Sequence, residues 1–381
     1  MGLKTIVKVG TVVSVLLFVF AVGYYAFIRL GMTAYGRDVN LFSLVPSSCI
    51  GVLESDKVNA FVEESTLNYH RELEELHFPG LFHFLVNEWN DHVVEDMHGL
   101  NNQINHWIVS FHGPDISRDQ VVYFQLDMTN EEAVLDMLQE CLPGSFLPKE
   151  ETYRGKIMWV YPLSNDDFLV AYSEKGFVVL SLQKRLIEEV VDAQLDETSL
   201  YHDDVFSQIL EKRKSHDFLT LYGRSASMPF LDMGAECWCE YDIYMNSDVA
   251  YLTGDTFFSG EKADTEVLSE KLQEIPVIKE EGLMLSSKKD STAFYMDQAF
   301  EANDTGSGTL FNECVANLSN EAAFSLVVDM ERVEKEPERF RMYLPLFVLE
   351  HASLFRSFIL STQFSLNGER LSHMWVFTYK Y

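Results

Sequence analysis

Histidine is the residue type with the densest clustering in this chain. Seven of the eleven histidines fall between residues 70 and 112. Imidazole is a common zinc ligand, but ligands on one helix are three or four residues apart, and no HExxH motif occurs. The gaps here are 7, 6, 9, 6, 8 and 6 residues, so we expect histidines spread over a partly exposed helical region. The seven are His70, His77, His83, His92, His98, His106 and His112.

The sequence NDTGSG at residues 303–308 contains the letters of the aspartic-protease signature, Asp304-Thr305-Gly306-Ser307. That chemistry needs two carboxylates that share a proton at the ends of apolar strands. The preceding residues are Glu301, Ala302 and Asn303, and the tetrapeptide occurs once. The pattern therefore favours a glycine-rich loop ahead of a helix that begins near Thr309.

The sequence Ser286-Ser287-Lys288-Lys289 fits the SxxK pattern, in which a lysine activates a serine for acyl transfer. The serine of that pattern opens a helix, and SDN and KTG elements accompany it. Both elements are missing, and the stretch separates Leu283-Met284-Leu285 from Ala293-Phe294-Tyr295. We therefore predict a polar hairpin turn.

Five cysteines, an odd number, leave at least one thiol unpaired within the chain. Two disulfides could form in an oxidising compartment, and the spacing does not select among the pairings. Cys237 and Cys239 would share one face of a strand, but a metal site would need two more ligands, so buried thiols are favoured. The cysteines are Cys49, Cys141, Cys237, Cys239 and Cys314.

None of these patterns assigns a catalytic, cofactor-binding or metal-ligating residue. The chain lacks GxSxG, a phosphate-binding glycine loop and a dinucleotide fingerprint. The sequons Asn303-Asp304-Thr305 and Asn317-Leu318-Ser319 have a role only in a host that glycosylates exported proteins. The function must therefore be inferred from the apolar run, the composition and the pattern of helices and strands.

The most specific of these elements is the uncharged run of residues 9–28, which Lys8 precedes and Arg29 follows. Twenty helical residues extend roughly 30 Å, the hydrocarbon thickness of a bilayer. The run ends in Tyr24, Tyr25 and Phe27 rather than in a small-residue cleavage site. We predict a signal anchor with residues 1–8 in the cytoplasm and residues 29–40 as a spacer.

The remaining chain has the composition of a folded, acidic, extracytoplasmic body. The whole chain is 47% hydrophobic and 13% aromatic, and its net charge is −30. That charge argues against nucleic acid as a partner, because phosphates would be repelled. The predicted partners are the lipid bilayer, through residues 9–28, and an envelope protein; no cofactor is predicted.

Strand and helix patterns predict an α+β body of two lobes, residues 41–215 and 216–381, in which antiparallel meanders pack against helices. Strands are expected at 50–54, 121–126, 157–162, 168–172 and 177–180, and a helix at 184–193. Pro337 and Pro345 should interrupt a helical stretch at 331–354. Trp107 and Trp238 both begin strands that are followed by a strand and a helix, which raises the hypothesis of an internal duplication.

The C-terminal sequence predicts a β-hairpin. Asn367-Gly368 is a preferred type I′ loop because both positions need a positive φ. Pairing Leu366 with Glu369 would place Leu360 opposite Trp375, and it would leave one face apolar.

Four features together carry a family resemblance: the anchor, the turn LVPSS before CIGVLESD, the strand and helix FVVLSLQKRLIEEVVDA, and the closing QFSLNGERLSHMWVFTY. They resemble uncharacterised, single-pass, membrane-anchored proteins of Bacteroidota that are grouped under domain-of-unknown-function labels. The resemblance implies a Gram-negative inner-membrane protein with a periplasmic body, and it brings no activity or site residue.

Two classes of function follow as expectations. The first is a non-enzymatic envelope protein whose anchored body binds or scaffolds a partner. The alternative is a membrane-tethered hydrolase with a site assembled from residues distant in sequence, which would be recognised by converging His, Asp or Ser side chains.

Overall fold

The fold is taken from a computed structural model. It describes residues 39–55, 104–113, 118–126, 135, 147–163, 168–212, 219–226, 228–232, 236–245, 248–259, 265–350, 352–353, 355–367 and 370–380. Within these ranges no helix is both long and apolar enough to cross a bilayer. The predicted anchor at 9–28 lies outside them, as do His70, His77, His83, His92 and His98.

The body is built on one antiparallel sheet of 15 strands, so the predicted α+β class with antiparallel strands is confirmed. The strands, numbered along the chain, are β1 (Gly51–Ser55), β2 (Ile104–Phe111), β3 (Gln120–Leu126), β4 (Lys149–Tyr153), β5 (Lys156–Pro162), β6 (Phe168–Glu174), β7 (Phe177–Ser181), β8 (Leu219–Gly223), β9 (Cys237–Met245), β10 (Val249–Phe258), β11 (Ile278–Glu280), β12 (Leu283–Ser286), β13 (Phe324–Asp329), β14 (Phe358–Asn367) and β15 (Arg370–Tyr379).

Eight α-helices among the described residues accompany the sheet. They are α1 (Lys184–Asp196), α2 (Phe206–Lys212), α3 (Thr265–Glu274), α4 (Lys289–Asp304), α5 (Leu310–Ala316), α6 (Met330–Lys335), α7 (Pro337–Phe340) and α8 (Leu346–Glu350). Pro337 occupies the first turn of α7, where its missing N–H costs no hydrogen bond. The predicted interruption of this stretch by Pro337 and Pro345 is confirmed.

The strand order is β11-β12-β13-β14-β15-β10-β9-β8-β1-β2-β3-β7-β6-β5-β4. At its centre β1 pairs antiparallel with β8, with Val52 opposite Tyr222. Strands from residues 41–215 and from residues 216–381 therefore belong to the same sheet.

Hydrophobic side chains cover both faces of this sheet. Face 1 is defined as the one that carries Val52, Tyr222 and Trp238, and face 2 as the one that carries Leu53 and Cys237. Because side chains alternate along a strand, strands such as β7 that are buried on both faces are apolar at nearly every position. Helices α1, α2, α4 and α5 pack on face 1, whereas α3, α6, α7 and α8 pack on face 2.

The C-terminal hairpin is present, but the predicted register is wrong. Asn367 pairs with Arg370, and Leu360 lies opposite Phe377 instead of Trp375. Every predicted partner is displaced by two residues along β15. Because the side-chain period of a strand is also two, this displacement keeps the same residues on the apolar face.

The predicted turn at Ser286-Lys289 is also wrong. Ser286 ends β12 and Lys289 begins α4, so this stretch connects a strand to a helix. Phe294 is 57% exposed within α4. Over three residues, a strand looks like a helix that carries apolar residues on several sides, which explains the error.

Trp107 and Trp238 do not occupy matching places. Trp107 packs in a cluster on face 2, whereas Trp238 packs on face 1 against Phe206, with ring centroids 5.0 Å apart. If the two strands were aligned on their tryptophans, equivalent residues would point to opposite faces of the sheet. The tryptophans are therefore not equivalent positions.

Candidate functional site

Glu54 is a carboxylate buried inside the protein, near the end of β1 on face 1. Its side chain is 1% exposed. Its Oε1 lies 2.6 Å from His106 Nε2 on the neighbouring strand β2, and Tyr222 of β8 donates its hydroxyl to Oε2 at 2.8 Å. Three adjacent strands thus place an imidazole and a phenol on the two oxygens of one buried carboxyl group. We call Glu54, His106 and Tyr222 the carboxylate cluster.

A second polar group lies on the same face, near the other end of β2. Ser110 Oγ lies 2.8 Å from His112 Nε2 and 3.1 Å from the hydroxyl of Tyr123. Strand alternation explains the contact, because Ser110 and His112 are two residues apart and project to the same side. Ser110 and Tyr123 are 0% exposed and His112 is 2% exposed.

The surroundings of His112 keep its ring neutral. Burial lowers its pKa to about 4; Arg185 acts in the same direction, and Asp119 opposes it. The carboxylate of Asp119 lies 3.2 Å from the Arg185 guanidinium. The backbone carbonyl of Asp119 accepts the backbone N–H of His112. A neutral histidine with Nε2 on a serine hydroxyl is the hydrogen-bonded pair that nucleophilic catalysis uses. Here, however, the hydroxyl is enclosed.

Face 2 carries a third polar group, between β9, β10 and β15. Cys239 Sγ lies 3.2 Å from Thr256 Oγ1, which lies 3.4 Å from His373 Nδ1. His373 Nε2 lies 3.0 Å from the backbone carbonyl of Glu240. Burial lowers the pKa of His373 to about 4, against the opposing effect of this hydrogen bond.

The position of that carbonyl depends on Gly254, which pairs with His373 across β10 and β15. A Cβ at residue 254 would lie 1.9 Å from Glu240 O. Glycine is therefore required here for close backbone approach.

The structure separates the residues that the sequence grouped by composition. His106 lies in β2 and His112 directly follows it on the same face, six residues away, which is roughly 20 Å. They cannot share one ion, and His106 lies in a strand instead of the expected helical region. Among the described residues, no group of three or more His, Cys, Asp or Glu side chains is arranged to hold a metal ion.

The two motif candidates have structural roles. Asp304 ends α4 and Thr309 caps α5, with Gly306 at φ 73° between them, so the predicted loop before a helix is confirmed. Ser286 Oγ is buried, donates to the Lys288 carbonyl and accepts the Lys288 N–H. Neither carries the chemistry of its signature.

The thiols are also internal. Cys49, Cys237, Cys239 and Cys314 are buried thiols outside any disulfide, as predicted for Cys237 and Cys239, and Cys141 lies outside the described residues. Burial raises the pKa of Cys49 to about 12 and that of Cys237 to about 11. Such thiols remain protonated at neutral pH and are weak nucleophiles.

Sequence reasoning missed Glu54, Tyr222 and His373 as members of polar groups. One signal was present for Glu54, because a charged residue ended the apolar run Ile50-Gly51-Val52-Leu53. Its partners come from β2 and β8, and only strand pairing brings them together.

No known protein family, curated protein or solved structure matches this chain.

Proposed function

We propose that this protein is a membrane-anchored, non-enzymatic binding or scaffolding protein of the cell envelope. Residues 9–28 would hold it in the inner membrane, with residues 1–8 in the cytoplasm and the α+β body in the periplasm. The uncharged run and the layout that resembles the Bacteroidota envelope proteins support this location.

The main support for a binding role is the enclosure of the reactive side chains. The side chains best suited to catalysis, Glu54, Ser110, His112, Cys239 and His373, are buried and bonded to protein atoms. A catalytic group needs contact with its substrate, whereas buried, satisfied polar groups stabilise one arrangement of a core. The 15-stranded sheet around them is a framework that carries exposed side chains on its surface.

The test is to crosslink the full-length protein in its native membrane, purify it and identify attached proteins by mass spectrometry. A reproducible envelope partner is the expected result. Recovery of the protein alone, with the crosslinker effective on a control complex in the same membranes, would contradict the proposal. Carbonate extraction and protease treatment of sealed spheroplasts test the anchor and its orientation separately.

One observation favours the second candidate, a membrane-tethered hydrolase. It is the 2.8 Å contact between Ser110 Oγ and neutral His112. A hydrolase of this kind must open the strand end to expose Ser110. Labelling by a fluorophosphonate probe in the intact protein, abolished by Ser110→Ala, would replace the binding proposal with the enzymatic one. No labelling is expected.

We further propose that the body has two lobes and arose by internal duplication. In each half, the first three strands lead outward from the centre of the sheet, as β1, β2 and β3 or as β8, β9 and β10. The later strands of each half, β4 to β7 and β11 to β15, start at the outer edge and run back toward the centre. In one half, helix α3 follows β10 and packs on face 2. In the other half, the helical residue Leu135 follows β3 and packs on the same face. Residues 41–215 and 216–381, expressed as two chains, should reassociate through β1 and β8; failure to do so would count against two lobes.

A further inference from the structure

In the described part of the chain, no helix lies on face 1 between α2 and α5. Helix α2 contacts β10, and α5 packs on β13 and β14. Between these helices, side chains of β9, β10 and β15 reach the surface. Cross-strand pairing puts them on one face, with Tyr244 opposite Tyr251 and Tyr251 opposite Val376. We call this region the central strip; it comprises Asp242, Tyr244, Tyr251, Asp255, Met374 and Val376.

Two partly exposed aromatic rings lie on this strip. Tyr244 is 43% exposed and Tyr251 is 40% exposed, although both lie on interior strands of the sheet. Adjacent aromatic side chains on a rigid sheet lose little conformational entropy when they bind a partner. Three strands are roughly 10 Å across, which is the width of a single helical or extended segment.

Both charged residues of the strip are acidic. Asp242, Asp255 and the neighbouring Glu240 lie on this face, and the strand residues beside them on it, Thr253, Ser372 and Met374, are uncharged. Thr220 donates to Asp242 Oδ1 at 2.9 Å, and Ser372 donates to Asp255 Oδ1 at 2.6 Å. These bonds fix the positions of the two carboxylates. The whole chain, at −30, adds a long-range field of the same sign.

We propose that the central strip is the docking surface for an arginine- or lysine-rich segment of a partner protein. This inference rests on the proposed binding function and names its surface and the chemistry of the partner. Guanidinium groups would stack on Tyr244 and Tyr251 and pair with Asp242 and Asp255. Met374 and Val376 would contact the alkyl stems of the same side chains.

The first test measures binding of a fluorescent peptide of alternating arginine and leucine to the full-length protein in detergent micelles. The double variant Asp242→Asn, Asp255→Asn removes two charges and keeps oxygens that accept from Thr220 and Ser372. It should weaken binding about fivefold, because partly exposed charge pairs each contribute only modestly. Tyr251→Thr, which retains strand propensity, should also weaken binding.

The matched control is Glu150→Gln, Glu338→Gln, which removes two exposed charges from other parts of the surface. It should leave binding within about twofold of the original protein. An equal loss in the control and strip variants would overturn the proposal, because net charge alone would explain binding. Equal binding of a peptide with glutamate in place of arginine would overturn it as well.

The second test separates this inference from the proposed function. Benzoylphenylalanine is placed at Tyr251 or at Tyr201, which is 46% exposed elsewhere on the body, and crosslinked in native membranes. An adduct at Tyr251 through a basic segment of an envelope protein is expected. Adducts only at Tyr201 would overturn the central strip while the binding function stands. No adduct at either residue, with a control complex captured, would overturn both.

Discussion

His106 Nε2 lies 2.6 Å from Glu54 Oε1, across two paired strands and with only 1% of the Glu54 side chain exposed. Tyr222 occupies the other oxygen of the same carboxylate. A buried acidic group is costly to leave short of a hydrogen-bond partner. The carboxylate cluster should therefore be a principal determinant of how β2, β1 and β8 stay together.

His106→Ala should lower the free energy of unfolding by ~3 kcal/mol, because Glu54 loses that partner while it stays buried. Tyr222→Phe removes only the hydroxyl and should cost about 1 to 3 kcal/mol. Urea denaturation of the full-length protein in micelles, followed by tryptophan fluorescence, measures both. His202→Ala, at an exposed histidine bonded to Ser199, is the control and should cost under ~1 kcal/mol. Equal effects at His106 and His202 would contradict a special role for the cluster.

Stability should fall as the pH is lowered from about 6.5 to 4. Both His112 and His373 have a folded-state pKa of about 4, depressed by burial from the ordinary value of 6.5. In this window the unfolded chain binds the protons and the folded chain does not, so acid favours unfolding. Each histidine contributes on the order of 3 kcal/mol that is present above pH 6.5 and lost on the way to pH 4.

This pH dependence is measured by denaturant titrations at pH 7, 6 and 5. Carboxylates also titrate at low pH, so the informative quantity is the difference in slope between the original protein and His112→Gln. The slope should be shallower in the variant. Parallel curves would show that His112 does not carry this linkage.

Gly254→Ala should destabilise the protein by about 3 kcal/mol, because its Cβ would lie 1.9 Å from the Glu240 carbonyl oxygen. The displaced carbonyl is also the hydrogen-bond partner of His373. Gly113→Ala is the control, because no atom lies within 4 Å of its added Cβ. A shift in the thermal midpoint confined to Gly254→Ala is expected, and similar midpoints for the two variants would exclude a close backbone contact at residue 254.

The four described cysteines should be unreactive in the native protein. Burial raises the pKa of Cys49 to about 12 and that of Cys237 to about 11, so little thiolate exists at pH 8. In a Cys141→Ser background, Ellman's reagent should titrate no thiol rapidly until denaturant is added, and then four. Fewer than four thiols in denaturant would reveal a disulfide and contradict the free-thiol state.

Local pattern was sufficient for much of the framework. The antiparallel α+β class, β3, β5, β6, β7, α1 and the proline breaks were predictable, because strand alternation, helical periodicity and proline geometry act over a few residues. The same holds for Thr309, whose capping role depends on its own helix. The C-terminal hairpin was predictable in its existence and its faces, but a two-residue displacement of its register leaves that pattern unchanged.

The sequence by itself thus determined composition, charge, the uncharged run at 9–28 and most local elements. Tertiary structure decided which polar residues meet. Glu54 and Tyr222 are 168 residues apart in the chain, and His373 is 133 residues from Glu240, so pairing of distant strands creates both contacts. It also decided which side chains reach the surface, because Tyr244 and Tyr251 are exposed although they lie on interior strands of the sheet. Which strands pair is decided by contacts between segments distant in the chain, and no local sequence pattern encodes the resulting strand order.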